Sequence, residues 1–486
     1  MLALVKSLLD TWHSNDVLYC HWKSNEAINR GLEGEGDLDI LLSQQHMAKA
    51  YETLTKLGFK RLIERPHKAY PGIEHWLGLS IQEGVFVHVH LHFRLVYGEK
   101  FIKGHRFSNE KELLQRRILS NGIYQISRED ELVFLFIRSI LKIDFIWILK
   151  KLAGLEKNYL PLLIFKEYQF LLNEISEERV KQIKDDFIPS IDFDSMLYAI
   201  KHIDQLSLFK VMRWKHRIFK SLYMSRRLSR LAHATTFLRV YVGFGLIKMG
   251  ILKKPKKRLF TGGTTIALLG ADGAGKSTML KELNSWIGQY LDVEIRYTGS
   301  GDGSKSFALT LFDYINSLRK KHHNSPKADP PNSDSSVGYL KTCLKNIRAI
   351  LVAKHRLSTI SNARLQSNNG KIVLYDRYPQ PFNRDYSDGP KVIVNGGVLS
   401  KWLYKWELEI YEKLYSYFPD YCICLMVDPE VSVSRKGEDS EDTIRKKNTV
   451  LETLLDMNKA NSSIVDANQD YENVLLQLKE LAWKNL

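Results

Sequence analysis

One string of eight residues, Gly270-Ala271-Asp272-Gly273-Ala274-Gly275-Lys276-Ser277, constrains the fold of this chain more than any other. Its spacing is G-x-x-x-x-G-K-[ST]. The apolar run Ile266–Leu269 before it reads as a buried parallel strand, and a helical pattern follows from Thr278 to about Leu291. Strand, glycine-rich turn and helix in that order define a P-loop. Gly270, Gly273 and Gly275 let successive backbone N–H groups face one anion, and the dipole of the following helix adds to the attraction. Asp272 and Ala274 lie inside the same turn. Lys276 is set to reach the β- and γ-phosphates of a nucleoside triphosphate, Ser277 to hold Mg²⁺ through its hydroxyl, and Thr278 to pack or cap.

The 486 residues allow two or three domains, each with its own core. Cys20, Cys343, Cys422 and Cys424 show no metal-ligand spacing and read as reduced thiols, Cys422 and Cys424 on one face of a strand. Met1–Trp12 is short and contains Lys6 and Asp10, so it resembles an amphipathic helix more than a signal peptide. A cytoplasmic protein is expected. Net charge is +16, and fifteen Lys and Arg residues fall between Gln205 and Ala271, where Asp and Glu are absent. The rest of the chain is close to neutral. No general nucleic-acid-binding surface is implied.

Residues 1–205 read as a first unit. Val17–Cys20 and Gly36–Leu42 have strand patterns, as do Lys60–Ile63 and Val85–Phe93, with a helix from Ser43 to Leu57. Asp37 and Asp39 fall on one face of their strand, because side chains alternate along it. Two like charges so placed repel unless a cation lies between them, so both are candidate metal ligands. A fold that has lost its chemistry stays open as the alternative. His88, His90 and His92 share a face in the same way and are either a His/Asp metal site or histidines on a solvated face.

These pieces resemble the nucleotidyltransferase-like domains found in bacterial polysaccharide gene clusters. The matching residues are Trp22-Lys23, Gly36-Asp37-Leu38-Asp39, His90-Leu91-His92-Phe93 and Ile126 through Glu131 before a long helical region. The resemblance implies an α+β domain with a helical layer. Active members complete their metal site with a third carboxylate on a later strand, where this chain has His88, His90 and His92. Residues 206–258 then form a basic helical connector. Arg239 or Lys248 at the centre of a bilayer would cost about 2.5–3.5 kcal/mol each, so no transmembrane span is expected there. A cationic helix on an anionic membrane surface, a phosphate-rich partner and a solvated interdomain helix pair all remain open.

Beyond the P-loop helix, Val293–Thr298 reads as a strand, Lys320–Gly338 as a mobile loop and Tyr339–Gln366 as a long helix. The strand Lys371–Tyr375 ends in Asp376-Arg377-Tyr378. Ligands bind at strand ends in open parallel sheets; an Asp there can orient Mg²⁺, and an Arg can clamp phosphates. From about Leu259 onward the chain resembles the thymidylate kinases and related nucleoside monophosphate kinases. The shared residues are the P-loop with Asp272, Asp376-Arg377-Tyr378, the strand Tyr421–Val427 before Asp428-Pro429-Glu430, and Ile464–Ala467. A basic segment with Arg435, Lys436, Arg445, Lys446 and Lys447 stands where that family has its lid.

The resemblance implies a P-loop NTPase parallel sheet with helices on both faces over 259–486, with Lys276, Asp376, Arg377 and Arg435 as catalytic residues. Asp272 would contact the acceptor. Ala274 replaces a residue that is basic in one branch of the family, which moves the catalytic cation to the lid and makes Arg435 the first choice. The acceptor loops differ: Gly299–Gly303 stands in place of an Arg-Glu-Pro-Gly-Gly string, and Pro379–Tyr386 lacks the thymine-contacting pair, though Arg384 could hold a phosphate. The expectation is ATP- and Mg²⁺-dependent phosphoryl transfer. The acceptor stays open between dTMP or another nucleoside monophosphate and a phosphorylatable sugar or glycolipid. A nucleotide-gated regulatory protein, peripheral membrane attachment and a homodimer also stay open.

Overall fold

Strand periodicity separates an apolar face from a polar one in the first half of the chain. The computed structural model describes residues 1–99, 101–143, 148–149, 153–154, 162–202, 207–299, 309–311, 314, 334–380, 383–384, 388–395, 397–436 and 439–486. Most of the expected loop 320–338 and the stretch 300–303 lie outside the described residues, as do 381–382 and 385–387. The chain packs as two units, Met1–Phe260 and Thr261–Leu486.

The first unit is built on a mixed sheet of eight strands: β1 (Tyr19–His21), β2 (Asp37–Leu42), β3 (Lys60–Ile63), β4 (Ile73–Ser80), β5 (Val85–His92), β8 (Ile118–Ser120), β9 (Ile123–Gln125) and β10 (Arg258–Leu259). β6 (Leu95–Tyr97) and β7 (His105–Phe107) form a separate ribbon. The sheet order is β10-β3-β4-β5-β2-β1-β9-β8. β2 and β5 run parallel, with Asp37 opposite His88 and Asp39 opposite His90. β4 and β5 are antiparallel, with His75 opposite His90. Leu38, Ile40 and Leu42 of β2 and Val87, Val89 and Leu91 of β5 turn the same way and pack with Val5, Leu8, Leu9 and Trp12 of the helix Ala3–Ser14. The alternate positions of β2 and β5 hold Asp37 and Asp39, and His88, His90 and His92, together with Leu41 and Phe86.

A second core of this unit is helical. The helix Arg128–Lys142 is buried along most of its length, and Val211, Trp214 and Ile218 of the helix Leu208–Ser221 pack into the same cluster. The helix Arg230–Lys248 instead buries Val240 and exposes Leu231, Leu238 and Val242. Among the described residues no helix is long and apolar enough to cross a membrane.

The second unit is a parallel sheet of β11 (Thr265–Gly270), β12 (Val293–Tyr297), β13 (Ile372–Asp376), β14 (Tyr421–Met426) and β15 (Ser462–Asp466), in the order β12-β13-β11-β14-β15. Ala267, Leu269, Val373, Tyr375, Cys422 and Cys424 face the helices Asp334–Asn368, Val398–Ser416 and Glu441–Met457. Ile266, Leu268 and Leu374 alternate with them, and the helices Lys276–Gly288 and Tyr471–Lys484 cover that opposite face. The chain leaves β11 toward one edge, returns at β13, and crosses to β14 on the other side. The strand order therefore reverses around β11, which places a crevice at its C-terminal end.

The helix Arg128–Lys142 depends on its first turn. Ser127 is fully buried; its Oγ accepts from the Asp130 N–H at 3.1 Å and donates to the Asp130 carboxylate at 2.8 Å. Ser127→Ala removes the cap and leaves Asp130 one donor short. It is expected to destabilise the first unit by about 1–2 kcal/mol, read as a lower urea midpoint, with nucleotide affinity unchanged.

Candidate functional sites

The loop after β11 turns sharply because of its glycines. Gly273 has φ 85°, and a Cβ there would stand 2.7 Å from the Ser432 carbonyl oxygen. Gly275, also at φ 85°, opens the helix Lys276–Gly288 in a conformation few other residues adopt. The loop is thus pressed against the helix Pro429–Lys436, and the Ser432 hydroxyl donates to the Asp272 carbonyl. Ala274 is buried beneath it, while Thr278 is exposed on the helix.

Around this loop the structure gathers most of the expected site residues. Lys276 Nζ donates to the Ala271 carbonyl at 2.6 Å, 3.9 Å from the Asp272 carboxylate. Burial, and then the charge of Arg377, lower the Lys276 amine to about 8. Ser277 Oγ donates to Asp376 at 3.2 Å, so the two proposed Mg²⁺ ligands from β13 and the loop meet. Both offer oxygen, the donor a hard cation prefers. Asp272 lies between Arg377 at 2.6 Å and Lys447 at 2.7 Å. Burial alone would raise its carboxyl; the bond from Lys447 and the charges of Arg377 and Lys276 hold it well below the usual range.

Arg435 stands apart. It is exposed and donates to the Ala467 carbonyl at 3.0 Å, whereas Lys447 of the same segment reaches Asp272 in the loop. Arg384 donates to the Val392 carbonyl and lies over the Tyr404 ring. Sequence reasoning missed Asp388 and Arg356. Arg356 is buried in its helix and binds Asp388, the Thr298 carbonyl and Tyr411, which holds Asp388 about 4.0 Å from Arg377. Nothing in the string around Arg356 distinguishes it from a solvated helical arginine. A small cleft lined by the charged Asp272, Arg377, Asp388 and Lys447 and the apolar Leu269, Leu451 and Leu454 results.

The first unit holds a second cluster. His88 Nδ1 is 2.7 Å from Asp37, His90 Nδ1 3.2 Å from Asp39 and His92 Nε2 3.3 Å from Asp39. Lys23 also reaches Asp39, at 2.8 Å. Burial lowers the imidazoles of His88 and His92 to about 3 and that of His75 further still, so these rings are neutral at neutral pH. Asp37 would be raised by burial, but its bond to His88 and the nearby histidines bring it down to about 2. The sequence reading paired His92 with His88 and His90 but missed His75, Glu64 and Lys257. β4 went unread, although its alternation and the turn at Ile81–Gly84 were signals for a hairpin with β5.

No protein-family profile matches the chain. It is 27% identical over 221 residues to the Escherichia coli K12 protein named uncharacterized ATP-binding protein YghR, covering 44% of this chain and 85% of that protein. A second similar protein of that strain, uncharacterized ATP-binding protein YghS, is 27% identical over 202 residues, covering 39% of this chain and 80% of the relative.

Asp272 gives a pH test. Its folded pKa lies below the unfolded value, so its contribution is complete above about pH 4 and is lost as pH falls from there toward the folded pKa. Asp272→Asn is expected to destabilise the second unit by roughly 1–2 kcal/mol at neutral pH, discounted for partial exposure. The gap should shrink below pH 4 in urea unfolding; a gap independent of pH would refute the ion-pair account.

Proposed function

We propose that the second unit is a P-loop kinase of the thymidylate kinase type, catalysing ATP- and Mg²⁺-dependent phosphoryl transfer to dTMP or another nucleoside monophosphate. The observation that carries the reading is the convergence at the switch point of the parallel sheet of Lys276, the Ser277–Asp376 pair and Arg377 on one glycine-rich loop. The names of the two relatives, both ATP-binding proteins, support nucleotide binding. Gly270, Asp272, Gly273, Ala274, Gly275 and Thr278 frame the phosphates with Lys276 and Ser277. Bound Mg²⁺ would neutralise charge on the β- and γ-phosphate oxygens, held by Ser277 and Asp376.

Lys276 exchanges the Ala271 carbonyl for phosphate oxygens, whose negative charge favours its ammonium form. Arg377 and Lys447 are held ready by Asp272, so an acceptor phosphate entering the cleft meets two positioned cations. Arg435 leaves Ala467 to serve as the lid cation. A sugar or glycolipid acceptor is the second reading, favoured by the exposed Leu231, Leu238 and Val242 on a stretch without acidic residues, which suits an anionic membrane surface.

The test is transfer of label from ATP to dTMP, other nucleoside monophosphates and a bacterial glycolipid extract. Label on a nucleotide supports the first reading, and label on the extract alone moves the assignment to the second. ATP binding without any transfer would make the unit a nucleotide-gated regulator and sink both. Lys276→Ala should weaken ATP binding about 10- to 100-fold by equilibrium dialysis, the loss of one charge-assisted contact. Asp376→Asn should abolish transfer while ATP still binds.

A further inference from the structure

Three carboxylates of the first unit, Asp37, Asp39 and Glu64, face the histidines of β4 and β5. His88 donates its Nδ1–H to Asp37 at 2.7 Å and His90 its Nδ1–H to Asp39 at 3.2 Å, and His75 Nε2 lies 3.3 Å from Glu64. A carboxylate only accepts, so the remaining ring nitrogens, His88 Nε2, His90 Nε2 and His75 Nδ1, carry lone pairs. The buried amine of Lys257 confirms two of them. An ammonium only donates, and Nζ is 2.9 Å from His88 Nε2 and 3.5 Å from His75 Nδ1, with Glu64 at 3.4 Å. His90 Nε2 is buried without a hydrogen bond among the described residues, its approach to the Asp37 carboxylate being 3.6 Å, beyond hydrogen-bond reach.

One ring nitrogen from each of His75, His88 and His90 lies within 4.8 Å of those of the other two. In a tetrahedral site with metal–nitrogen bonds of about 2.0–2.1 Å they would be about 3.4 Å apart. Closing that difference takes small side-chain rotations. Imidazole ligands whose second nitrogen is fixed by a carboxylate are the usual construction of a transition-metal site, because the outer acid sets the tautomer and raises ligand basicity. Asp39, His90 and His92 form a second group of suitable spacing. There the Asp39 oxygen already serves Lys23 and both imidazoles, which favours the set with His75.

We propose that His75, His88 and His90 bind a late first-row divalent metal ion of the zinc class, with Asp37, Asp39 and Glu64 as outer carboxylates and Lys257 as a competing internal cation. Nitrogen donors select such an ion over Mg²⁺. The ion and the Lys257 amine need the same lone pairs, so binding one expels the other. Lys257 directly precedes β10, which pairs with the edge of the sheet at β3, so metal binding is linked to how that edge strand is held.

The test is titration of the tag-free full chain with Co²⁺ in excess Mg²⁺ and without nucleotide, following the visible absorption of four-coordinate cobalt. One equivalent is expected to bind and to be displaced by Zn²⁺. Lys257→Met keeps every ligand and removes the competitor, so it should bind at least tenfold more tightly; His88→Gln and His90→Gln should lose the band with their circular dichroism unchanged. No stoichiometric band in either the natural chain or Lys257→Met would overturn the site. A band that survives both histidine substitutions would do the same, and equal affinity in Lys257→Met would overturn the competition.

Discussion

The two-residue period of a strand, imposed where one face is buried, is the constraint on which the first unit rests. Leu38, Ile40 and Leu42 must face the helix Ala3–Ser14, so Asp37 and Asp39 have no choice but the other side. Val87, Val89 and Leu91 impose the same on His88, His90 and His92. A slip of one residue would drive two carboxylates into an apolar core, at a cost no single hydrogen bond offsets. The apolar positions therefore fix the register of the charged ones. Parallel pairing of β2 with β5 then sets acid opposite imidazole twice over.

The second unit applies a related constraint at strand ends. Its five parallel strands are covered by helices on both faces, which leaves the carboxyl edge for polar groups. Asp376 and Arg377 at the end of β13 meet the loop that follows β11, since the two strands are neighbours with Leu268 opposite Asp376. Asp272 keeps the cations Arg377, Lys447 and Lys276 close together despite their mutual repulsion. The same carboxylate that stabilises the cluster therefore prearranges it for an anion.

Both clusters use one device, a cation held by groups that a ligand could take over. In the second unit Asp272 holds Arg377 and Lys447, and the Ala271 carbonyl holds Lys276. In the first, two imidazoles and Glu64 hold Lys257. Such sites are stable without their ligand because no buried charge is left unpaired. Exchange then costs only the difference between two sets of contacts.

The loop Gly270–Ser277, the strands around it and the Asp37/Asp39 alternation were legible in the sequence because each is a local pattern, readable within one strand or turn. Lys60–Ile63 was read to its ends and Ile372–Asp376 to within a residue. Lys257 was read as part of the basic connector 206–258, yet it is 7% exposed, since only the pairing of β10 with β3 carries it under the sheet. Arg435 was preferred over Lys447 in the basic segment, yet helix packing sends Arg435 to Ala467 and Lys447 to Asp272. Periodicity determined which residues share a face. Which faces meet, and so which charges pair, depends on contacts between residues as far apart as Asp272 and Lys447, and only the tertiary structure decided it.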